Sequence, residues 1–386
     1  MRQEVAGIPP ASRVTLLAVT SSAATRWRIL EPCPADSSPW AVQELSDVQG
    51  QSYRETFGFD DFWTPTWVWR PKLAGTADGR HRLFVVVRDT DGDPVRGDGL
   101  GVAHVGLPEA DNAHLARVGL WVRPSARRQG VGSALIAHVE REVASEGRTV
   151  VLAWATSVPE PPAGPGALEP PTGAGRVPAD TPSTLLALRR GYALEQISRQ
   201  SVLPVPDRLE PVVEARDAAL VVAGPEYRLH VWHDDVPAEW RADLGELIAR
   251  MSTDVPLADL AWEPELWDAA RVKRWLRTFA DRNLHVTITA AEHIPSGTLV
   301  GYTEVMHPDP DVPFAYQGST LVRADHRGRR LGMALKAQNL LALRERRPGL
   351  RRVHTDNAQE NRHMLAINIA LGYRPLGVMA AWQKTL

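Results

Sequence analysis

Along the chain, apolar positions alternate as in strands and then shift to the three-to-four spacing of helices, and this succession occurs twice. In the second half, the pattern predicts a strand over 228–232, helices over 238–251 and 268–282, and strands over 284–291 and 298–306. Pro295, Ser296 and Gly297 form a turn signal that makes the last two strands a hairpin. A strand over 315–323, a helix over 328–346, a strand over 351–356, a helix over 361–371 and strands within 373–385 follow. The first half reads as strands over 82–88, 100–106 and 115–123, a helix over 131–146, a strand over 148–155 and a short helix near 183–190. Leu135, Ile136, Val139 and Val143 form the apolar stripe of its long helix. Strands mixed with helices, and hairpins in the middle of each half, predict an α+β fold of two tandem domains, each a mixed, mostly antiparallel sheet flanked by helices.

The duplication is visible residue by residue. Val122, Arg123, Arg127, Gly132, Ala134 and Leu135 each recur 200 positions later, in the same strand, basic turn and helix. Each copy closes on a Gly-Tyr pair, Gly191-Tyr192 and Gly372-Tyr373. Gly132 and Gly191 are 59 residues apart, whereas Gly332 and Gly372 are 40 apart. Residues 158–182, dominated by Pro, Gly and Ala, account for the excess and read as an extended or mobile insertion within the first copy. The expected domains are therefore 1–205, including that insertion, and 227–386, with the boundary near 204–226.

Composition narrows the class. The 386 residues carry 44 Lys+Arg against 46 Asp+Glu, a net charge of −2, which argues against a dedicated nucleic-acid binder. There is neither a spanning apolar run nor a secretory leader, so the expectation is a cytoplasmic protein without membrane contact. Cys33, alone between Pro32 and Pro34, excludes a disulfide and reads as a bystander thiol; the scattered histidines predict no metal site.

A strand, an Arg-x-x-Gly-x-Gly turn and a helix start make an anion cradle, because successive N–H groups and the helix dipole point at one place. Arg127 to Gly132 fit a pyrophosphate. No Gly-Lys-Ser/Thr follows, so this is not a Walker loop, and its position after a hairpin excludes a dinucleotide-binding fingerprint.

The stretch from Val122 to Leu135 resembles the acetyl-CoA motif of the GNAT acyltransferase superfamily. Residues Asp325 to Gly332, with Thr355-Asp356-Asn357 and Asn361 to Met364 before Leu371-Gly372-Tyr373, are similar to the C-terminal half of tandem actinobacterial GNAT proteins, a layout that mycothiol synthase shares. The resemblance implies two tandem GNAT-type domains, acetyl-CoA as cosubstrate with no metal, and transfer to a primary amine of a small molecule, antibiotic-like or an amino-sugar or thiol conjugate. A homodimer is compatible with it. It places the pantetheine arm at Leu120 and Val122 or at Thr320 and Val322. It places the pyrophosphate at Arg127, Arg128, Gln129, Gly130, Gly132 and Ser133, or at Arg327, Gly328, Arg329, Arg330, Gly332 and Met333, with Asn361 on the cofactor side. Two departures stand out. Arg330 replaces the first family glycine, and the general-acid tyrosine is Asn368 in the second copy and Ala187 in the first. Asp180 stands where the second copy has Asn361, so the resemblance makes the second half the better candidate for catalysis.

Acyl transfer from a thioester to an amine needs a polarised carbonyl, expected from a backbone N–H in strand 315–323, and a base. Alternation puts Val300, Tyr302, Glu304 and Met306 on one face, where burial would raise the carboxyl pKa of Glu304 and suit it as base. The opposing reading is an edge glutamate facing water. Tyr316, Tyr302 and Tyr373 are candidate acids, with Tyr316 preferred and Tyr373 read as core. His354 and Asp356 read more readily as strand-end polar groups, and Gln317 as a substrate-orienting or backbone-satisfying residue. The Trp63, Trp67 and Trp69 group and the Trp267 and Trp275 pair read as packing ahead of acceptor walls. Arg344 to Arg347 reads as a solvated helix end. The rival class is a non-enzymatic acyl-CoA-binding sensor or interaction protein with degenerate sites.

Overall fold

The computed structural model describes residues 27–32, 39–89, 92–308 and 312–386; Cys33 lies outside them. The first half runs β1 (Trp27–Leu30), α1 (Pro39–Phe57), α2 (Thr66–Ala74), β2 (Gly79–Arg88), β3 (Gly99–Pro108), β4 (Leu115–Val122), α3 (Val131–Ser145) and β5 (Val150–Ser157). A two-residue ribbon, β6 (Ala167–Leu168) and β7 (Val177–Pro178), precedes α4 (Pro182–Arg189) and β8 (Ala193–Pro204). After α5 (Glu210–Ala223) the plan repeats as β9 (Tyr227–His233), α6 (Arg241–Ala249), α7 (Ala269–Asp281), β10 (Leu284–His293), β11 (Thr298–Pro308), β12 (Phe314–Val322), α8 (Leu331–Arg346), β13 (Arg352–Ala358), α9 (Arg362–Ala370) and β14 (Arg374–Thr385).

These strands form one twelve-stranded sheet in the order β1-β2-β3-β4-β5-β14-β8-β13-β12-β11-β10-β9. Every neighbouring pair is antiparallel except β4 with β5 and β12 with β13. The last strands of the halves are exchanged: β14 lies against β5 of the first half, and β8 lies against β13 of the second. Each half thus completes its sheet with a strand from the other.

Both faces of the sheet are covered, which is why Leu83 to Val87 is a continuous apolar run rather than an alternating one. Phe84 and Val86 pack with the predicted α3 stripe, whereas Leu83, Val85 and Val87 pack with α1 and α2. Burying each such side chain contributes roughly 1.5–3 kcal/mol. Helix α1 escaped the sequence pattern because its buried face includes Glu44, Ser46 and Gln49. The Glu44 carboxylate is answered by Arg123 at 2.6 Å.

The loops after α1 and α6 also cross between halves. Asp61, after α1, pairs with Arg352 and lies 2.7 Å from His354 Nε2. On the other side, Leu260, Ala261 and Trp262, after α6, pack on Leu115, Val150 and Leu152, and His114 reaches the Ala261 carbonyl at 2.8 Å. Residues 158–182, expected to be extended or mobile, fold back on the sheet: Val177 is buried, and Arg176 bonds the Pro161 carbonyl and pairs with Glu160. The Arg344 to Arg347 run is not simply solvated either. Arg346 pairs with Asp234, and buried Arg347 bonds His307 and the Val312 carbonyl. Among the described residues, no helix is long and apolar enough to cross a membrane.

Candidate active site

Each half opens a V in its sheet. Parallel pairing of β4 with β5 stops at Val118–Ala153, and that of β12 with β13 stops at Tyr316–His354. Beyond these points β4 stays with β3 while β5 follows β14, so one edge of Gly119 to Val122 lacks a strand partner. The first V holds a cavity of about 500 Å³, lined among others by Leu120, Val122 and Trp154 on its arms, Thr181 and Leu186 of the α4 region, and Tyr53 of α1.

The basic turns follow the Vs and share one conformation. Positions 128 and 130 are left-handed, with φ of 62° at Arg128 and 84° at Gly130; so are 328 and 330, with 82° at Gly328 and 57° at Arg330. Each copy has one glycine and one arginine at these two positions, in opposite order. Arg330 therefore does not spoil the turn: it takes the left-handed conformation that a glycine would, at about 1–2 kcal/mol of local strain. The N–H groups of residues 131 and 132, and of 331 and 332, open the first helical turns and find no backbone acceptor among the described residues. Arg128, Gln129 and Ser133, and Arg329 with Arg330, lie exposed around them, and Met333 is half-buried.

Several expected contacts are arranged differently. The guanidinium of Arg127 turns back to the Val122 carbonyl at 3.2 Å and pairs with Glu55, and Arg327 turns to Val322 at 2.9 Å and pairs with Asp254. Both arginines brace the turn rather than extend into the cradle. A Cβ on Gly332 would meet Ile367 at 3.0 Å, and one on Gly132 would lie 3.5 Å from Leu186. These glycines seat the helix start against α9 and α4. Asn361 caps α9 by accepting from the Met364 N–H at 3.2 Å. Its counterpart is Thr181, which caps α4, and not Asp180; α4 is one residue shorter, which displaces the alignment. Asn368, at the place of the family tyrosine, is buried and donates to Asn357 at 2.6 Å.

Tyr302, Glu304 and Met306 share a face against α6 and α7, as alternation predicts, but Val300 does not. An extra residue opposite Ala291 and Glu292 bulges β11 there and turns Val300 towards α8. Glu304 is buried, with 6 % exposure, and faces a second irregularity. Thr303 pairs with Thr320 but Val305 pairs with Gln317, so Gly318 and Ser319 of β12 both oppose Glu304. The Ser319 N–H donates to Oε1 at 3.3 Å, and Oε2 is buried without a partner. Burial raises the carboxyl pKa to about 7 against the Ser319 bonds, which favour the anion. Gly318 is required there: a Cβ would lie 2.7 Å from Oε1.

Tyr316 is not available as an acid. Its hydroxyl donates to the Asp61 carbonyl, and burial followed by the nearby Asp61 charge pushes its pKa above the ordinary tyrosine value. Tyr302 is fully buried, and burial likewise raises Tyr373. Gln317 donates to the Glu304 carbonyl at 2.6 Å, satisfying backbone at the bulge, and Thr320 contacts Thr303 at 2.7 Å. Trp267 and Trp275 pack edge to face within the core beside Glu304's face.

His104 was missed, although the 200-residue offset points to it. Gly101 pairs with Val122 as Gly301 pairs with Val322, so His104 and Glu304 stand three residues along corresponding strands. The pairing of β3 with β4 runs through this position without a bulge. Among the described residues, no group of three His, Cys, Asp or Glu side chains is placed to hold a metal ion.

Residues 42–164 match the model of the acetyltransferase (GNAT) family. Over 93 % of this chain and 98 % of the other, the structure is similar to a tandem GNAT protein from the clavulanic acid biosynthesis pathway, with 24 % identity and a TM-score of 0.70. It is also similar to a GCN5-related N-acetyltransferase from Sphaerobacter thermophilus, with 15 % identity and a TM-score of 0.56 over 93 % and 95 % of the two chains. No curated protein matches the sequence. The first half thus carries a stretch, residues 42–164, that matches the GNAT acetyltransferase family, and the two halves repeat one α+β fold, the fold of the tandem GNAT structure.

Proposed function

We propose that the chain transfers the acetyl group of acetyl-CoA to the primary amine of a small molecule by direct attack in a ternary complex, and that the second half carries out the chemistry. The observation that carries this reading is Glu304: a buried carboxylate with one unpartnered oxygen and a pKa near 7, set against a bulge in the splayed strand. The residues present fit the cosubstrate. The free edges beside Leu120 and Val122, or Thr320 and Val322, suit the amide-bearing pantetheine arm. The exposed turns with their unpaired helix N–H groups suit its pyrophosphate, with Arg128, Gln129, Gly130 and Ser133 or Gly328, Arg329, Arg330 and Met333 around it. The thioester supplies an activated acetyl group. Glu304 takes a proton from the ammonium so that the amine nitrogen can attack the thioester carbon, while backbone N–H groups on the open edge of β12 stabilise developing charge on the carbonyl oxygen; the C–S bond then breaks, and the departing thiolate takes the second proton that the nitrogen loses as the amide forms.

One observation favours a different role for the first half. His104 replaces the carboxylate and the strand is unbulged, so its cavity suits binding of an acyl-CoA without turnover. Incubating the full chain with acetyl-CoA and a panel of amino sugars, aminoglycosides and cysteine conjugates, with mass spectrometric detection, tests both. An acetylated product that requires Glu304 supports transfer. Acetyl-CoA binding by calorimetry with no product from any amine favours the binding role and sets the transfer reading aside.

A further inference from the structure

The α2-covered face of the first half collects hydrogen-bond donors and cations without acceptors. His81 on β2 pairs with Gly106 on β3, which pairs with Arg117 on β4. His104, two residues before Gly106, shares their face. Its Nε2 lies 3.0 Å from His81 Nδ1, and the two rings stack with centroids 5.0 Å apart. From α2, Trp69 packs with its ring centroid 4.9 Å from that of His104, and Lys72 Nζ sits 4.8 Å from the Trp69 ring. The second half adds Arg282, directly after α7, which packs on α2.

Lys72, Arg117 and Arg282 are half-buried, yet none makes a side-chain hydrogen bond or ion pair among the described residues. Elsewhere, the sequestered Arg82, Arg148 and Arg271 each meet at least one carboxylate. The Trp69 indole N–H is buried, at 3 % exposure, and also has no acceptor. The carboxylates nearest in charge are occupied or outward. Glu265, which acts on Arg117, accepts from the Trp262 and Trp267 indoles at 3.3 and 2.9 Å, and Asp281, beside Arg282, is exposed. The cations act on one another. Burial first, then Arg282 and Arg117, lower Lys72 to about 8. Burial first, then Lys72, Arg117 and Arg282, lower His81 to about 3. Three cations and an unsatisfied donor around a neutral histidine pair are unfavourable alone and complementary to an anion.

We propose that this cluster is an anion-binding site that takes a carboxylate or phosphate group of a small molecule, held by Lys72 and Arg117 of the first half and Arg282 of the second. Occupancy would tie the halves together at a place distinct from the basic turns. The site does not depend on whether the second half transfers an acetyl group, because none of the residues that hold it takes part in that reaction.

Calorimetric titration of the full chain with inorganic phosphate and, separately, with succinate at fixed ionic strength tests it, with Lys72→Gln, Arg117→Gln and Arg282→Gln alongside. At least one probe should bind saturably with a stoichiometry of one and raise the Tm. Each variant should weaken binding by roughly tenfold or more, as expected for loss of one charge-assisted contact. Preference for phosphate or for succinate identifies the source of the anion. Without the probe, each variant should melt no lower than the parent, because a repelling cation is gone; this separates loss of binding from loss of folding. Absence of saturable binding by both probes, or binding unchanged in Arg117→Gln and Arg282→Gln, overturns the assignment.

Discussion

Glu304 and His104 stand at the same register of corresponding strands, each three residues beyond the glycine–valine pair that precedes its basic turn. The difference in side chain goes with a difference in backbone: two residues of β12 oppose Glu304, whereas one residue of β4, Gly119, opposes His104. Duplication has kept the frame and separated the chemistry. One half has a carboxylate pressed against a bulge, and the other has a neutral imidazole among cations.

Replacing Glu304 by Gln should lower kcat/KM by about 10²–10⁴-fold, the range for loss of a general base. The group's pKa is raised from 4.5 to about 7, so the folded state keeps its proton over a range in which the unfolded state has lost it. Stability is therefore lost as pH rises through that range, and Glu304→Gln should be more stable than the parent above about pH 7. Steady-state rates across pH, with Tm at pH values on both sides of 7, check both points. Full turnover by the variant would remove Glu304 from the mechanism.

Gly318→Ala tests the bulge. The new methyl group would lie 2.7 Å from Glu304 Oε1 and 3.0 Å from its Cγ, closer than packed atoms allow. Because Glu304 is itself enclosed, the strain should destabilise the protein by about 1–3 kcal/mol. The displaced carboxylate should lower kcat more than it changes KM for acetyl-CoA. An unchanged kcat would mean that the position of Glu304 does not matter to turnover.

Asp61→Asn probes the contact between halves. Burial alone would raise the pKa of Asp61, but hydrogen bonds from Arg352 and His354 outweigh it and hold the carboxyl below its ordinary value. The folded state thus prefers the anion, so this stability is present above the unfolded carboxyl pKa and is lost as pH falls through the lower folded value. Because Arg352 is partly exposed, the loss in Asp61→Asn at neutral pH should be about 1–3 kcal/mol, below that for a fully buried pair. Urea unfolding at pH 7 and near pH 3 checks this: the difference between variant and parent should shrink in acid.

Much of the frame was legible because it repeats and because buried strands declare themselves. The β2 apolar run, the α3 stripe and the basic turns all appear in the residues. Helix α1 was not legible, since Glu44 and Gln49 interrupt its buried face and their partners come from distant segments. The exchange of β8 and β14 depends on pairing between halves, which local periodicity does not encode. The bulge that turns Val300 away defeats alternation for the same reason: the partner strand sets it. Arg330, standing in place of the first family glycine, does not alter the turn: the backbone conformation is common to both copies.

The buried histidines should make the protein sensitive to mild acid. Burial first, then neighbouring cations, lowers His81 to about 3 and His307 to about 4, and lowers His104 well below its ordinary value. In the unfolded chain these imidazoles take up protons near pH 6.5, whereas in the folded protein they remain neutral until much lower pH. The unfolded state therefore binds more protons between about pH 6.5 and 4, and stability falls as pH drops through that window. The slope is at most about 1.4 kcal/mol per pH unit for each histidine. His81→Gln should flatten the dependence of urea-unfolding free energy on pH between about 6.5 and 4 while leaving the parent's value above pH 7.5 nearly unchanged. An identical slope in variant and parent would show that His81 is protonated in the folded state, with its charge answered by a group other than those that face it here.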